Sequence, residues 1–129
     1  MTLTESELRT RFEDLTLRAE DLSHAEHVRL AWTYLRELPL LDVLRVFPEN
    51  LKRFAESIGA AQIYNETVTW AFLMLIDERM DASRDASWSE FIGANQDLLS
   101  KRVLERYYTP ETLASEHAKR RFVLPDRIA

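Results

Sequence analysis

The sequence predicts an all-α fold, a single-domain helical bundle of about five to seven helices that spans residues 1–129. Only two glycines and four prolines interrupt the 129 residues. No stretch shows the apolar alternation of a half-buried strand bounded by turn residues. A hydrophobic fraction of 46% in a chain of this length is enough to build one core without disulfides or metals.

The first two helices are predicted from their capping residues. Thr4 is followed by Glu7, and Ser23 is followed by Glu26. At this spacing the hydroxyl and the carboxylate reciprocally satisfy the free backbone N–H groups of a helix start. We therefore predict helices that begin after Thr4 and after Ser23.

The third helical segment covers residues 39–59 and contains two prolines. Pro39 is acceptable in a first helical turn, whereas Pro48 lies in the middle of the segment and removes a backbone donor there. Gly59 suits a C-terminal stop, because glycine adopts the left-handed conformation that commonly ends a helix. The pattern predicts a kink at Pro48 or a division into two short helices.

The fourth helix is predicted near residues 62–80. Its middle, residues 68–76, is apolar nearly all round, which is typical of a helix that is buried on most sides. We expect this helix to be central and Trp70 to pack in the core. The apolar run is nine residues long, whereas a membrane span needs about twenty, so no span is predicted.

The remaining helices follow the polar stretch 77–87, which is predicted to be the longest loop. Ser87 and Glu90 repeat the capping-box spacing, and Thr109 with Pro110 resembles a cap followed by a first helical residue. Two or three C-terminal helices are expected.

Charge and composition limit the classes of function. The chain carries 17 basic and 22 acidic residues, a net charge of −5, which argues against binding nucleic acid or an anionic membrane. It has no cysteine, which excludes disulfides, thiolate nucleophiles and cysteine-ligated metals. The N-terminus lacks a basic start followed by an apolar stretch, so a cytoplasmic location is expected.

Two of the three histidines lie on one face of the second helix. At about 100° per residue, one stripe contains His24, His27, Val28, Ala31, Tyr34 and Leu35. The opposite side contains Glu26, Arg29, Thr33, Arg36 and Glu37. Both imidazoles therefore face the core, where a polar, titratable ring requires a partner such as a carboxylate, a carbonyl or a metal.

The fourth helix supplies a carboxylate for such a site. One of its stripes contains Glu66, Thr69, Trp70, Leu73 and Asp77. His24, His27 and Glu66 would form a two-histidine-one-carboxylate set for a divalent metal ion, with open positions for water or substrate. Tyr64, Thr69 or Asp77 would then orient a small-molecule ligand or move a proton, as in a metal-dependent enzyme or binding protein.

Other interpretations of the same residues stay open. His27 could be a core histidine bonded to a carbonyl or to Glu66, or part of a metal-free acid/base or ligand site. His117 is expected to be exposed among charges. In a second class of function the chain is a non-catalytic module, and its apolar positions form a homodimer or partner surface. Those positions are Leu40, Leu41, Val43 and Phe47.

The segments SHAEHVRLAWTYLRE, YNETVTWAFLMLI and the tail from residue 98 resemble a group of small bacterial all-helical proteins. That group has an HxxHxxxAW segment and a Tyr-His-Glu-Thr segment. The resemblance implies a helical fold and directs attention to His24, His27, Tyr64 and Glu66, but it implies no activity. Asn65 stands where the pattern has histidine, and an amide oxygen is a weaker metal ligand than imidazole.

Overall fold

The computed structural model describes residues 2–81 and 84–127, and over these ranges the fold is all-helical, as predicted. Its α-helices are α1 (Glu5–Glu13), α2 (His24–Glu37), α3 (Leu40–Ser57), α4 (Glu66–Met80), α5 (Trp88–Ala94), α6 (Pro110–Ala114) and α7 (Glu116–Arg120). Short 3-10 helices at Ala19–Asp21, Ala61–Ile63, Gln96–Leu99 and Lys101–Arg106 connect them. In the described ranges no helix has the length and apolar character needed to cross a membrane.

The predicted helix starts are confirmed. Complete capping boxes begin α1 at Thr4 and α5 at Ser87. The Ser23 hydroxyl accepts the backbone N–H of Glu26 in α2. The Thr109 hydroxyl accepts that of Thr112 in α6, with Pro110 as the first helical residue. These signals act within three residues of the helix start, so they do not depend on the tertiary fold.

The predicted division at Pro48 is wrong, because α3 is one continuous helix of 18 residues through that proline. The alternative, a kink at Pro48, stays a prediction. Pro48 is itself buried, and apolar residues on both sides of it reach the core. Phe47 and Phe54 both lie with their ring centroids 5.7 Å from that of Phe12. Burial of the two half-helices outweighs the lost backbone bond. The helix ends just before Gly59, whose φ is +71°.

The central position of α4 is confirmed, since it packs against α2, α3 and α7. The helix begins at Glu66, and residues 62–63 of the predicted segment belong to the 3-10 helix Ala61–Ile63. It continues to Met80, so the predicted 77–87 loop begins later than expected, and its residues 82–83 lie outside the described ranges.

The polar side of α2 is less exposed than the sequence predicts. Arg29 is only 4% exposed and Thr33 only 5% exposed. The N-terminal segment covers this side, where the Arg29 guanidinium contacts the carboxylates of Glu5 and Glu26 and the carbonyl of Leu3. Burial of arginine is tolerated here because its donors are satisfied by charged and backbone acceptors.

The C-terminal segment folds back onto α4 through a buried threonine. The Thr67 hydroxyl lies 2.8 Å from the carbonyl oxygen of Ala118 and 2.9 Å from that of Arg121. It also accepts the backbone N–H of Val123 at 3.1 Å. The hydroxyl of Tyr108 donates to the Val123 carbonyl at 2.6 Å. These bonds attach residues 118–123 to the first turn of α4.

Trp70 lies on this tail-facing side of α4 and is only partly buried, in contrast to the predicted core position. Its ring stacks on that of Phe122, with centroids 5.4 Å apart. Trp32 of α2 is the more deeply buried indole, at 1% exposure, and it lies 5.5 Å from the ring of Trp88.

Candidate functional site

A cavity of about 490 Å³ lies between α2, α3 and α4. Most of its wall is apolar, and Val28, Phe54 and Phe72 are representative of the three helices. Ile58 and Ile63 also line it and are 41% and 71% exposed, so the cavity opens to solvent beside them. Its polar side chains are His24, His27, Tyr64, Asn65, Thr69 and Lys101.

A second cleft of similar volume, between α1 and α2, has a different character. Its charged lining residues are mostly paired, and they are Glu5, Arg9, Glu13, Arg36 and Glu37. Arg9 bonds Glu13 at 3.0 Å and also contacts Glu37. Because most of these charges already have partners, the cavity between α2, α3 and α4 is the better candidate site.

His24 is the first residue of α2, and its ring is held by a backbone group. Its Nε2 lies 3.0 Å from the carbonyl oxygen of Leu98. Since a carbonyl can only accept, Nε2 carries the proton and Nδ1 is the free acceptor of the neutral ring. Burial lowers the pKa of His24, while the bond to Leu98 opposes that change and the charge of Lys101 adds to it.

His27 lies one turn later on the same face and is partly buried in the cavity wall. No described residue forms a hydrogen bond with its ring. Burial, together with the smaller effects of the neighbouring His24 and Lys101, lowers its pKa from 6.5 to about 4. The imidazole is therefore neutral at pH 7 and carries one N–H donor and one acceptor nitrogen in the cavity wall.

The sequence analysis missed Lys101. This lysine begins the 3-10 helix Lys101–Arg106, and its side chain lines the cavity together with both histidines. Within the described ranges the ammonium forms no ion pair. Lys101 is exposed as well as lining the cavity, and nothing near it in the sequence distinguishes it from other exposed lysines, because only the fold brings it to α2.

Tyr64 lies in the cavity wall, but Glu66 is directed elsewhere. The Tyr64 hydroxyl donates to the Glu66 carboxylate, which lies 3.9 Å from the Nζ of Lys52. The same ammonium lies 5.2 Å from the centroid of the Tyr64 ring. Burial, reinforced by the bond to Glu66, raises the pKa of Tyr64, so the phenol stays protonated at neutral pH.

The three expected metal ligands do not form one cluster. Across residues 2–81 and 84–127, no three histidine, aspartate or glutamate side chains are grouped so that they could hold a metal ion. His24 and His27 share the cavity wall, whereas Glu66 faces Tyr64 and Lys52. His117 is exposed on α7, as expected.

Asn65 and Thr69 have structural partners at the start of α4. The Asn65 side chain caps the helix by accepting the N–H of Val68 at 3.0 Å, and its amide donates to the Leu113 carbonyl at 2.8 Å. The Thr69 hydroxyl donates to the Asn65 carbonyl at 2.8 Å. Both residues line the cavity, but their side chains are already hydrogen-bonded to the backbone of the protein.

Asp77, expected to act in the same site, does not line the cavity. Its carboxylate pairs with Arg84 at 3.0 Å near the other end of α4.

The predicted partner surface is only partly exposed, since Val43 and Phe47 are core residues at 0% and 4% exposure. Leu41 is the exposed member of that set, at 79%.

Comparison of the chain with protein-family models, with curated proteins and with solved structures finds no match. The cavity and its side chains are therefore the basis for inferring a function.

Proposed function

We propose that the protein binds a small, largely apolar molecule in the cavity between α2, α3 and α4. The observation that carries this proposal is a mainly apolar chamber of about 490 Å³ whose wall includes His27, an imidazole with no hydrogen-bond partner in the described ranges. Protein cores are normally packed with few voids larger than a water molecule. Ligand pockets, in contrast, have volumes of about 300–1,000 Å³ and a few polar groups in an apolar wall.

The polar side chains would orient this molecule. His27 offers a donor and an acceptor nitrogen, and His24 offers the Nδ1 that its bond to Leu98 leaves free. Tyr64 and Thr69 lie on the α4 side of the same wall, where they would limit the position of the ligand. These groups are sufficient for specific binding. They do not form a catalytic set with Asp77, because Asp77 pairs with Arg84 outside the cavity wall.

A neutral alcohol is the simplest probe of this proposal. Isothermal titration calorimetry with 1-octanol should give one binding site and a negative heat-capacity change, because apolar surface becomes buried. Ala31→Phe places a ring in the cavity wall and should abolish binding. Ala25→Phe is the matched control, since Ala25 is exposed on the same helix outside the cavity.

Folding of each variant is checked by circular dichroism, because an enlarged core residue can destabilise a protein by about 1–3 kcal/mol. If Ala31→Phe does not fold, Val68→Phe fills the cavity from α4 instead. Equal binding by wild type and by a folded, filled variant would contradict the proposal.

Divalent metal binding is the second candidate function. The bond from His24 Nε2 to the Leu98 carbonyl favours it, since metal-binding histidines commonly donate their other ring N–H to a carbonyl. With Glu66 directed away, water or the ligand itself would complete the coordination. Titration of the metal-free protein with Zn²⁺ should shift the imidazole resonances of His24 and His27, and His27→Gln should abolish the shift. Unchanged resonances in wild type would contradict metal binding.

A further inference from the structure

Some polar side chains of the cavity are hydrogen-bonded to other residues of the protein, and others are not. The side chains of His24, Tyr64, Asn65 and Thr69 are already hydrogen-bonded to other residues of the chain. His27 and Lys101 have no such partner among the described residues. A ligand therefore meets its strongest unused donors at the end of the cavity where these two side chains lie.

This end of the cavity also carries uncompensated positive charge. Lys101 supplies a permanent cation, and its charge reaches both imidazoles. No aspartate or glutamate among the described residues lines the cavity, and the nearest acid along α4, Glu66, is bonded to Tyr64 and faces Lys52. This local charge is opposite to the net charge of −5 of the whole chain.

The remaining wall favours an apolar body. Apolar side chains from α2, α3 and α4 surround most of the chamber, and the exposed Ile58 and Ile63 continue this surface to the opening. A carboxylate is acceptor-only and matches an ammonium and an imidazole N–H, whereas an amine would be repelled by Lys101. With one permanent cation present, a singly charged head group is better matched than a dianion.

We infer that the ligand is an amphiphilic carboxylic acid whose apolar body fills the cavity and whose carboxylate faces His27 and Lys101. This inference rests on the proposed function and adds the charge and the orientation of the ligand. Both contacts are charge-assisted hydrogen bonds, which are roughly twice as strong as neutral ones.

Three probes with the same alkyl chain separate the contribution of the head group to affinity from that of the apolar body. Octanoate, 1-octanol and octylammonium are titrated into the full-length protein at pH 7.5 by calorimetry. We expect octanoate to bind about tenfold more tightly than 1-octanol, since one charge-assisted bond is of that order. Octylammonium should bind more weakly than both.

Variants locate the carboxylate. Lys101→Met keeps the apolar stem and should reduce octanoate affinity about tenfold while leaving 1-octanol affinity unchanged. His27→Gln should reduce octanoate affinity less, because an amide still donates. Lys119→Met is the matched control, since this lysine lies on α7 outside the cavity, and it should change neither affinity.

The outcomes distinguish this inference from the proposed function. If 1-octanol binds as tightly as octanoate, or octylammonium binds best, the acidic ligand is excluded while the cavity remains a binding site. If the preference for octanoate survives both Lys101→Met and His27→Gln, the assigned orientation is wrong. If none of the three probes binds, the proposed function fails together with the inference.

Discussion

His27 is a neutral imidazole in a mostly apolar wall, and this placement makes stability depend on pH. Burial lowers its folded pKa to about 4 from the ordinary value of 6.5, and the charged groups facing it are His24 and Lys101. Between these values the unfolded chain takes up a proton that the folded protein does not. The free energy of unfolding should therefore fall as the pH drops from about 6.5 towards 4.

Urea unfolding followed by circular dichroism at pH 7 and pH 5 measures this dependence. The loss in wild type should approach about 1 kcal/mol per pH unit, and His27→Gln should reduce it. Some dependence should persist in the variant, because the pKa of His24 is also lowered. Equal losses in wild type and variant would show that His27 is not the buried titrating group.

Comparison of Thr67 with Thr69 measures how much a buried hydroxyl contributes to the free energy of unfolding. Thr67 is 0% exposed, and its hydroxyl connects α4 to the carbonyls and the N–H of the C-terminal segment. The Thr69 hydroxyl donates to the preceding turn of its own helix, and this residue is partly exposed. Thr67→Val should lose about 1–3 kcal/mol of stability, and Thr69→Val less than about 1 kcal/mol. Equal losses in urea unfolding would contradict this role of Thr67.

Among the helices, α3 allows the loss of stability caused by an interior proline to be measured, because the helix continues through Pro48. Pro48→Ala restores an N–H that can donate to the Leu44 carbonyl, and an interior proline is about 3 kcal/mol less favourable than alanine. The smaller side chain loses about 1.6 kcal/mol of burial, at about 0.8 kcal/mol for each methylene. The variant should be more stable by about 1 kcal/mol in urea unfolding. A destabilised variant would mean that the ring contributes more packing than this balance includes.

The two indoles on α2 and α4 should differ in their contribution to stability. Trp32 is almost fully buried, so Trp32→Ala should lose about 3–5 kcal/mol. Trp70 is partly exposed and mainly stacks on Phe122, so Trp70→Ala should lose about 1–3 kcal/mol. A double-mutant cycle of Trp70→Ala with Phe122→Ala should give a coupling of about 0.5–1.5 kcal/mol. Independent losses would contradict the stacking.

The sequence predicts best those features of the elements that depend on near neighbours. The capping boxes at Thr4 and Ser87 need only residues three positions apart, and both are present. The continuity of α3 through Pro48 depends on burial of residues on both sides, which no local pattern contains. Likewise, the polar side of α2 is buried because the segment around Leu3 and Glu5 covers Arg29.

At the scale of the whole molecule, the candidate site could be predicted only in part. Helical periodicity placed His24 and His27 on the core-facing stripe, and both line the cavity. The direction of Glu66 depends on Tyr64 and Lys52, and Lys101 arrives from a distant part of the chain. Contacts between segments that are distant in the chain cannot be predicted from the periodicity of one helix.

Ligand binding should stabilise the entire bundle, because the cavity wall is shared by α2, α3 and α4. At a free concentration of about 100 times its Kd, octanoate should raise the free energy of unfolding by about 2.7 kcal/mol. The measurement is the shift of the thermal midpoint, and Ala31→Phe should show none. A shift of equal size in that variant would indicate binding outside the cavity.

The positions of the tryptophans have an optical consequence. Trp32, Trp70 and Trp88 all lie outside the cavity wall, in the contacts with Phe91 and Phe122. Indole emission therefore reports on the core and on the docked tail, and a bound aliphatic molecule leaves it nearly unchanged. Tyr64 is the phenol that faces the chamber. Tyr64→Trp would place an emitting indole there, so that folding and occupancy could be followed as separate fluorescence signals.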